Sequence, residues 1–194
     1  MNLREFFDML APQWEEKLEE EDFERIERLI DEIEIRNGNV LDCGCGTGIL
    51  HQFLLEKLGP KGKIFEMDIS FNMLKIAKIK NPKFILQGDA EFMPFISSSF
   101  DTVIFLNAFP HFRNKKVVLK ETFRILKDGG KLFILHTFPR EEVNSFHKNY
   151  GGIIADDLLP ENPEIISMLE EANFSKIRII EKDVFIVSAE KRGE

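Results

Sequence analysis

Residues 40–48, Val-Leu-Asp-Cys-Gly-Cys-Gly-Thr-Gly, limit what this chain can fold into more than any other stretch. An apolar start leads to an acid, Asp42, and then to glycines at 44, 46 and 48. The start reads as a buried strand. The glycines read as a sharp turn that lets a ligand lie against the backbone, because glycine tolerates positive φ and carries no Cβ. Two phosphate-binding turns are argued against by the residues that follow. A dinucleotide fingerprint needs glycine or alanine at position 49, where Ile49 stands, and a P-loop needs a Gly-Lys-Ser/Thr ending that is absent.

Beyond the turn the pattern repeats as helix, strand, helix. Residues 49–58 predict a helix with Leu50, Phe53, Leu54 and Leu58 inward, ending at Gly59-Pro60. Strand 63–68 follows, then a helix over 70–80 with Ser70 as its N-cap, and strand 83–87 after Pro82. Residues 89–99 form a long loop and 101–106 a fourth strand. A helix over 115–127 buries Val118, Leu119, Phe123 and Leu126, and Gly129-Gly130 caps it ahead of strand 131–137. Helices are expected over 140–150 and 161–173. Two strand-like runs, 176–181 and 184–189, meet at Lys182-Asp183 as an antiparallel hairpin. Ahead of the glycine turn, 2–11 predicts a short helix with Phe6, Phe7 and Leu10 on one side, and 21–36 an amphipathic helix terminated by Gly38. Alternation of this kind predicts an α/β fold, a mostly parallel sheet covered by helices on both faces. A single domain over 1–194 is expected, divided into N-terminal helices (1–36), a ligand-binding core (39–137) and a C-terminal part (138–194).

The run Asp42-Cys43-Gly44-Cys45-Gly46-Thr47-Gly48 resembles motif I of the class I S-adenosylmethionine-dependent methyltransferases. Three further stretches agree with it in order. Lys-Ile-Phe-Glu-Met-Asp-Ile-Ser at 63–70 is a strand ending in Asp68, twenty residues after Gly48. Phe-Ile-Leu-Gln-Gly-Asp-Ala at 84–90 is similar to the family's adenine-binding segment. Residues 99–107, followed by Arg-Ile-Leu-Lys-Asp-Gly-Gly at 124–130, are similar to its fourth strand and the glycine turn into the fifth. The resemblance implies a Rossmann-like sheet of seven strands with one strand running against the others, methyl transfer as the activity, and S-adenosylmethionine as cofactor. It implies that the loop of Asp42, Cys43, Gly44, Cys45 and Gly46, completed by Gly48, takes the methionine end. Asp68 would then take the ribose, Ile69 one face of the adenine, and Asp89 with Ala90 its edge. It also implies that the leading helix lies over the cleft as a lid. Apart from any family, Asp42, Asp68, Asp89 and Asn107 fall at strand carboxyl ends, where ligands lie in open α/β sheets. The general pattern is similar to the branch holding ubiquinone and menaquinone biosynthesis methyltransferases. Asn107-Ala-Phe-Pro departs from the Asn-Pro-Pro-aromatic motif of members that methylate planar nitrogens of adenine or glutamine.

Composition narrows the partners. The net charge is −8, and residues 1–36 alone hold 13 acids and 5 bases, leaving the remainder neutral. An acidic front argues against a nucleic acid substrate, which needs clustered Lys and Arg, and favours a small-molecule acceptor. The longest apolar runs are strand-length, far below a membrane span. With no basic-then-apolar start, and only Cys43 and Cys45 as cysteines, the reading is a cytoplasmic protein. Those two cysteines lack metal-ligand spacing, so no metal is expected.

Methyl transfer is an in-line displacement that needs alignment, exclusion of water and, for a protic acceptor, a base. His111, just past the fourth strand, is the catalytic candidate. His136 closes the fifth strand, while Arg140, Asn144 and His147 share one helix face by their spacing. These four, with the single tryptophan Trp14, are the candidate acceptor-binding residues, suited to a polar or anionic acceptor. Trp14 and the neighbouring aromatics equally fit plain packing. Two other classes stay in play: a non-catalytic, cofactor-binding or regulatory partner of the same fold, and a nicotinamide-dependent oxidoreductase, the latter opposed by Ile49 and by the acid at the adenine position.

Overall fold

The computed structural model describes residues 1–35, 38–59 and 62–193. Seven strands form one sheet in the order β3-β2-β1-β4-β5-β7-β6. They are β1 (Asn39–Cys43), β2 (Lys63–Asp68), β3 (Phe84–Gln87), β4 (Phe100–Leu106), β5 (Leu126–His136), β6 (Phe174–Glu181) and β7 (Phe185–Lys191). The first five run parallel, and β7 is antiparallel to both β5 and β6. The helices are α1 (Leu3–Leu10), α2 (Glu20–Glu32), α3 (His51–Leu58), α4 (Phe71–Ala77), α5 (Lys115–Ile125), α6 (Arg140–Tyr150) and α7 (Asn162–Glu171).

The strands are apolar on both faces because both faces are covered. On β1, Val40 faces α2 and α3 through Ile26, Leu29, Leu50 and Leu54, while Leu41 and Cys43 join Phe105, Val118 and Leu132 on the other side. Strand order reverses at β1, which pairs with β2 on one side and β4 on the other. That places the crevice expected of an open α/β sheet directly above the glycine turn.

Two glycine boundaries differ from the sequence expectation. Helix α2 stops at Glu32 with Ile33 already extended, so Gly38 does not terminate it. Gly38 instead opens β1 at φ 153°, where a Cβ would lie 2.2 Å from the Asp101 carboxylate that receives the Asn39 amide. The expected end of that helix, Arg36, lies outside the described residues, as does Pro60 of the Gly59-Pro60 stop. The second difference is at Gly129-Gly130, which cap no helix. Helix α5 ends at Ile125, and Leu126 is the first residue of β5, buried as expected but from a strand. The glycines lie within β5, where pairing with β4 slips between Phe100 and Thr102. Gly129 has φ 69°, and a Cβ on Gly130 would meet the Lys127 carbonyl at 2.7 Å. Glycine supplies a bulge here through the same conformational freedom that would have supplied a cap.

Candidate active site

The glycine turn is held from behind by β2. The amides of Gly44 and Cys45 both donate to the Met67 carbonyl, at 2.7 and 3.1 Å, and the Gly46 amide donates to Asp68 Oδ2 at 2.8 Å. Each of the three glycines has its own reason to be glycine, beyond positive φ. A Cβ on Gly44 would lie 2.6 Å from Ala108, one on Gly48 would press on Ala77 of α4, and one on Gly46 would meet no protein atom, so that position faces open space. The other oxygen of Asp68 accepts from the Ser70 amide at 2.8 Å, fixing the carboxylate across the top of β2. Burial raises the Asp68 carboxyl above its ordinary value, against the pull of those backbone donors.

Above the turn opens a cavity of about 850 Å³, within the 300–1,000 Å³ or so usual for small-molecule sites. Cys43, Gly44, Cys45, Gly46, Asp68, Ile69, Asp89, Ala90 and Asn107 all line it. Asp89 is exposed and caps the short turn at Ala90–Phe92 by accepting from Glu91. Asn107 has φ 51° and is tied to the residue just past β5, since its Oδ1 accepts the Thr137 amide at 3.1 Å. Both thiols are buried, and burial followed by the charge of Asp42 pushes each upward, which keeps them protonated.

Asp42 does not line the cavity. It lies one residue behind the turn, 1% exposed, with neither carboxylate oxygen hydrogen-bonded. Its neighbour across the β1–β2 pairing is Glu66, also fully buried and held by His51 Nδ1 at 2.8 Å. Burial pushes the Asp42 carboxyl well up, and Glu66 and Asp68 push the same way. An unpaired acid under a bare backbone turn, with Asp68 keeping lone pairs beyond its two backbone bonds, fits a ligand carrying a cationic end and a ribose diol.

Helix α1 roofs the cavity. Asp8 accepts from Ser70 Oγ at 2.7 Å and from the Asn72 amide at 2.9 Å, and Asn72 Nδ2 returns a bond to the Asp8 carbonyl. Phe7 stands edge-on to both Trp14 and His111, with ring centroids 6.1 and 5.1 Å away. Trp14 lines the cavity and is 36% exposed.

Opposite the turn, three histidines meet. His111 and His147 have centroids 4.8 Å apart, and both line the cavity with His136. His111 Nδ1 is 2.8 Å from Asp157 Oδ2, and His147 Nδ1 bonds the backbone carbonyl of the same residue. His136 is 2% exposed with no partner for Nε2. Burial, then the proximity of His111 and His147, lowers it to about 3.

Arg140 and Asn144 share the expected face of α6 with His147, but neither reaches the cavity. Arg140 turns toward the C-terminal strands, pairing with Glu161 at 2.7 Å and Glu181 at 2.9 Å over the Phe185 ring. Asn144 holds Leu159 by its backbone in both directions, at 2.8 and 3.1 Å. That clamp brings the 151–159 loop back against α6 and delivers Asp157, which sequence reasoning missed. Its only signal was a pair of acids, Asp156-Asp157, in an otherwise apolar loop ending at Pro160.

The neutral burial of His136 makes stability depend on acid. Unfolded, the ring titrates near its ordinary 6.5; folded, near 3. Its contribution is whole above pH 6.5 and drains away as pH falls from there toward 3, by up to about 1.4 kcal/mol per pH unit. Urea midpoints at about pH 7 and about pH 5 should therefore draw closer together in His136→Phe than in wild type; an equal acid shift in both would contradict this.

A methyltransferase-domain family profile matches residues 41–134. A demethylmenaquinone methyltransferase of Listeria monocytogenes is 35% identical over 170 residues, covering 73% of this chain and 72% of that protein. One from Lactococcus lactis is 42% identical over 106 residues, covering 51% of this chain. This chain spans only 42% of the Lactococcus protein's own length. Among solved structures, a methyltransferase in complex with the Haloferax volcanii Trm112 activator superposes with a TM-score of 0.82 at 19% identity, covering 100% of this chain and 99% of its own, which is a likeness of fold. The strand order, the glycine turn with its acids and the extent of the Listeria match agree, and the chain belongs to the class I S-adenosylmethionine-dependent methyltransferase family.

Proposed function

We propose that this protein moves a methyl group from S-adenosylmethionine to a small molecule held between the glycine turn and the histidine cluster. The observation that carries this reading is that both halves of the machinery open onto one cavity: the turn with Asp68, Asp89 and Ala90 on one side, and His111, His136 and His147 on the other. When bound, the cofactor supplies a methyl carbon already activated by its sulfonium centre. The chain's own residues do the rest. The loop from Cys43 to Gly46 presents bare backbone to the methionine end above the unpaired Asp42, and Gly48 lets α4 approach closely. Asp68 receives the ribose, Ile69 packs on the adenine, and Asp89 with the Ala90 backbone meets its edge. Helix α1 closes over the cavity as a lid, which excludes water and holds acceptor and donor in line.

The acceptor side is predominantly aromatic, with Phe7, Trp14, Phe146 and Tyr150 around the histidines. His111 serves as base, while Arg140 and Asn144 support the site from outside. A basic surface of the kind nucleic acid requires is not part of this lining. Two buried, unpaired thiols accord with work in the cytoplasm.

Isothermal titration with S-adenosylmethionine and with NADH tests the cofactor half, and release of S-adenosylhomocysteine with candidate acceptors tests turnover. Binding of S-adenosylmethionine alone, followed by turnover, is expected. Binding without turnover across a broad acceptor set would favour the non-catalytic partner, and binding of NADH alone would overturn the reading.

A further inference from the structure

We propose that Asp157 is the positioning residue of the acceptor site, holding His111 and His147 together so that both present unprotonated Nε2 atoms to an acceptor that must lose a proton, a hydroxyl or thiol on an apolar body. The proposal rests on the methyl-transfer reading above. A single residue makes both contacts, His111 through its carboxylate and His147 through its backbone carbonyl. A carbonyl oxygen only accepts, so the proton of neutral His147 sits on Nδ1 and its Nε2 carries the lone pair. The carboxylate imposes the same tautomer on His111. Burial, the largest influence, lowers His147 below its ordinary value and so favours the neutral ring.

The groups facing the pair agree with an uncharged acceptor. His136 is neutral, and Lys115 is occupied by the Pro110 and Phe112 carbonyls. The cations of the cavity wall stand at its edge: Arg4 pairs with Asp8, and Arg113 is exposed. Among the described residues, no lysine or arginine stands at the centre of the cavity wall to pair with a phosphate or carboxylate, whereas Phe7 stands edge-on to the His111 ring and Phe146 lies beside His147. The chemistry balances. The acceptor's lone pair forms the new bond to the methyl carbon as the sulfur–methyl bond breaks, and that electron pair stays on sulfur to give a neutral thioether. The acceptor's proton moves to Nε2 of His111, and the resulting imidazolium is stabilised by the Asp157 carboxylate until solvent removes the proton.

The test is nitrogen-15 NMR of the histidine side chains in the full chain, in wild type and Asp157→Asn. In wild type above neutral pH, His111 and His147 should both show a protonated Nδ1 and a lone-pair Nε2. In Asp157→Asn the amide can donate to His111 Nδ1, so His111 should change to the Nε2-protonated tautomer, while His147, held by backbone, should not. A purely structural aspartate would leave both tautomers as they were or disturb both together, and either result overturns the assignment, as does an Nε2-protonated His111 in wild type. With S-adenosylhomocysteine present, 4-methylphenol or 4-methylbenzenethiol should perturb the His111 Nε2 signal and 4-methylanisole should not. No response to either protic probe, or an equal response to the ether, removes the protic acceptor. Added Zn²⁺ that shifts both Nε2 signals at micromolar concentration would make the pair a metal site instead. Failure of S-adenosylmethionine to bind wild type would sink the methyl-transfer reading while leaving the tautomer result to be judged separately.

Discussion

Replacing Asp68 with alanine is expected to weaken S-adenosylmethionine binding by about 100-fold, which corresponds to roughly 2.8 kcal/mol. The carboxylate has one task in the fold and a second under the proposed function. It receives the Gly46 amide and the Ser70 amide, both at 2.8 Å, and thereby ties the tip of the glycine turn to the start of α4. Its remaining lone pairs are the ones that would receive a ribose diol. Hydrogen bonds to a charged acceptor contribute about 1.5–3 kcal/mol each, so losing the diol contacts and loosening the turn together accounts for the drop. Asp68→Asn keeps one acceptor oxygen of the same shape and should fall between wild type and alanine. Calorimetric titration reads the difference directly. Equal affinity in wild type and alanine variant would show that the ribose is held elsewhere.

Arg140→Ala should lower stability by about 3 kcal/mol without weakening cofactor binding. The guanidinium is 5% exposed and ties three segments together: α6 itself, the start of α7 through Glu161 and Asn162, and β6 through Glu181. It also packs over Phe185 at 5.2 Å, so alanine removes apolar contact as well as charge. Glu161 is 80% exposed and can return to water, which keeps the effect below that of a wholly buried pair. In a chain of this size, about 3 kcal/mol corresponds to a melting temperature lower by roughly 6–12 °C. Lysine cannot bridge two carboxylates with a planar fork and should recover only part of the loss. A drop in S-adenosylmethionine affinity with unchanged melting would place Arg140 in the ligand site instead.

The sheet was legible because parallel strands buried on both faces read as unbroken apolar runs, and the helices between them keep a single inward stripe. Their ends were less legible where glycine decided them. Gly38 and Gly129-Gly130 carry the backbone freedom that a helix cap needs, but their partners are long-range: Asp101 for the first and the slipped β4–β5 pairing for the others. No local pattern distinguishes a cap from a bulge in that situation. The gathering of Asp68, Asp89 and Asn107 on one cavity follows from topology alone, since parallel strands deliver their carboxyl ends to one edge. The helical spacing of Arg140, Asn144 and His147 was likewise readable, but a shared face does not say which neighbour covers which turn of the helix. Arg140 meets the C-terminal strands, Asn144 the returning loop, and His147 the cavity. Asp157 depends on that return, which Asn144 fixes through Leu159 from fifteen residues away.

The pair of acids beneath the glycine turn also bears on how the turn would respond to a charged ligand. Asp42 and Glu66 lie side by side across β1 and β2, Asp68 stands two residues further along β2, His51 holds Glu66, and Lys80 reaches the Thr47 carbonyl close by. A pyrophosphate laid on this backbone would bring two negative charges close to acids that burial already biases toward their neutral forms, and would hold them there. The same amide-lined bend that other chains use to cradle phosphates is here set over buried acids, so binding of a cationic ligand at this turn is expected to be coupled to their ionisation.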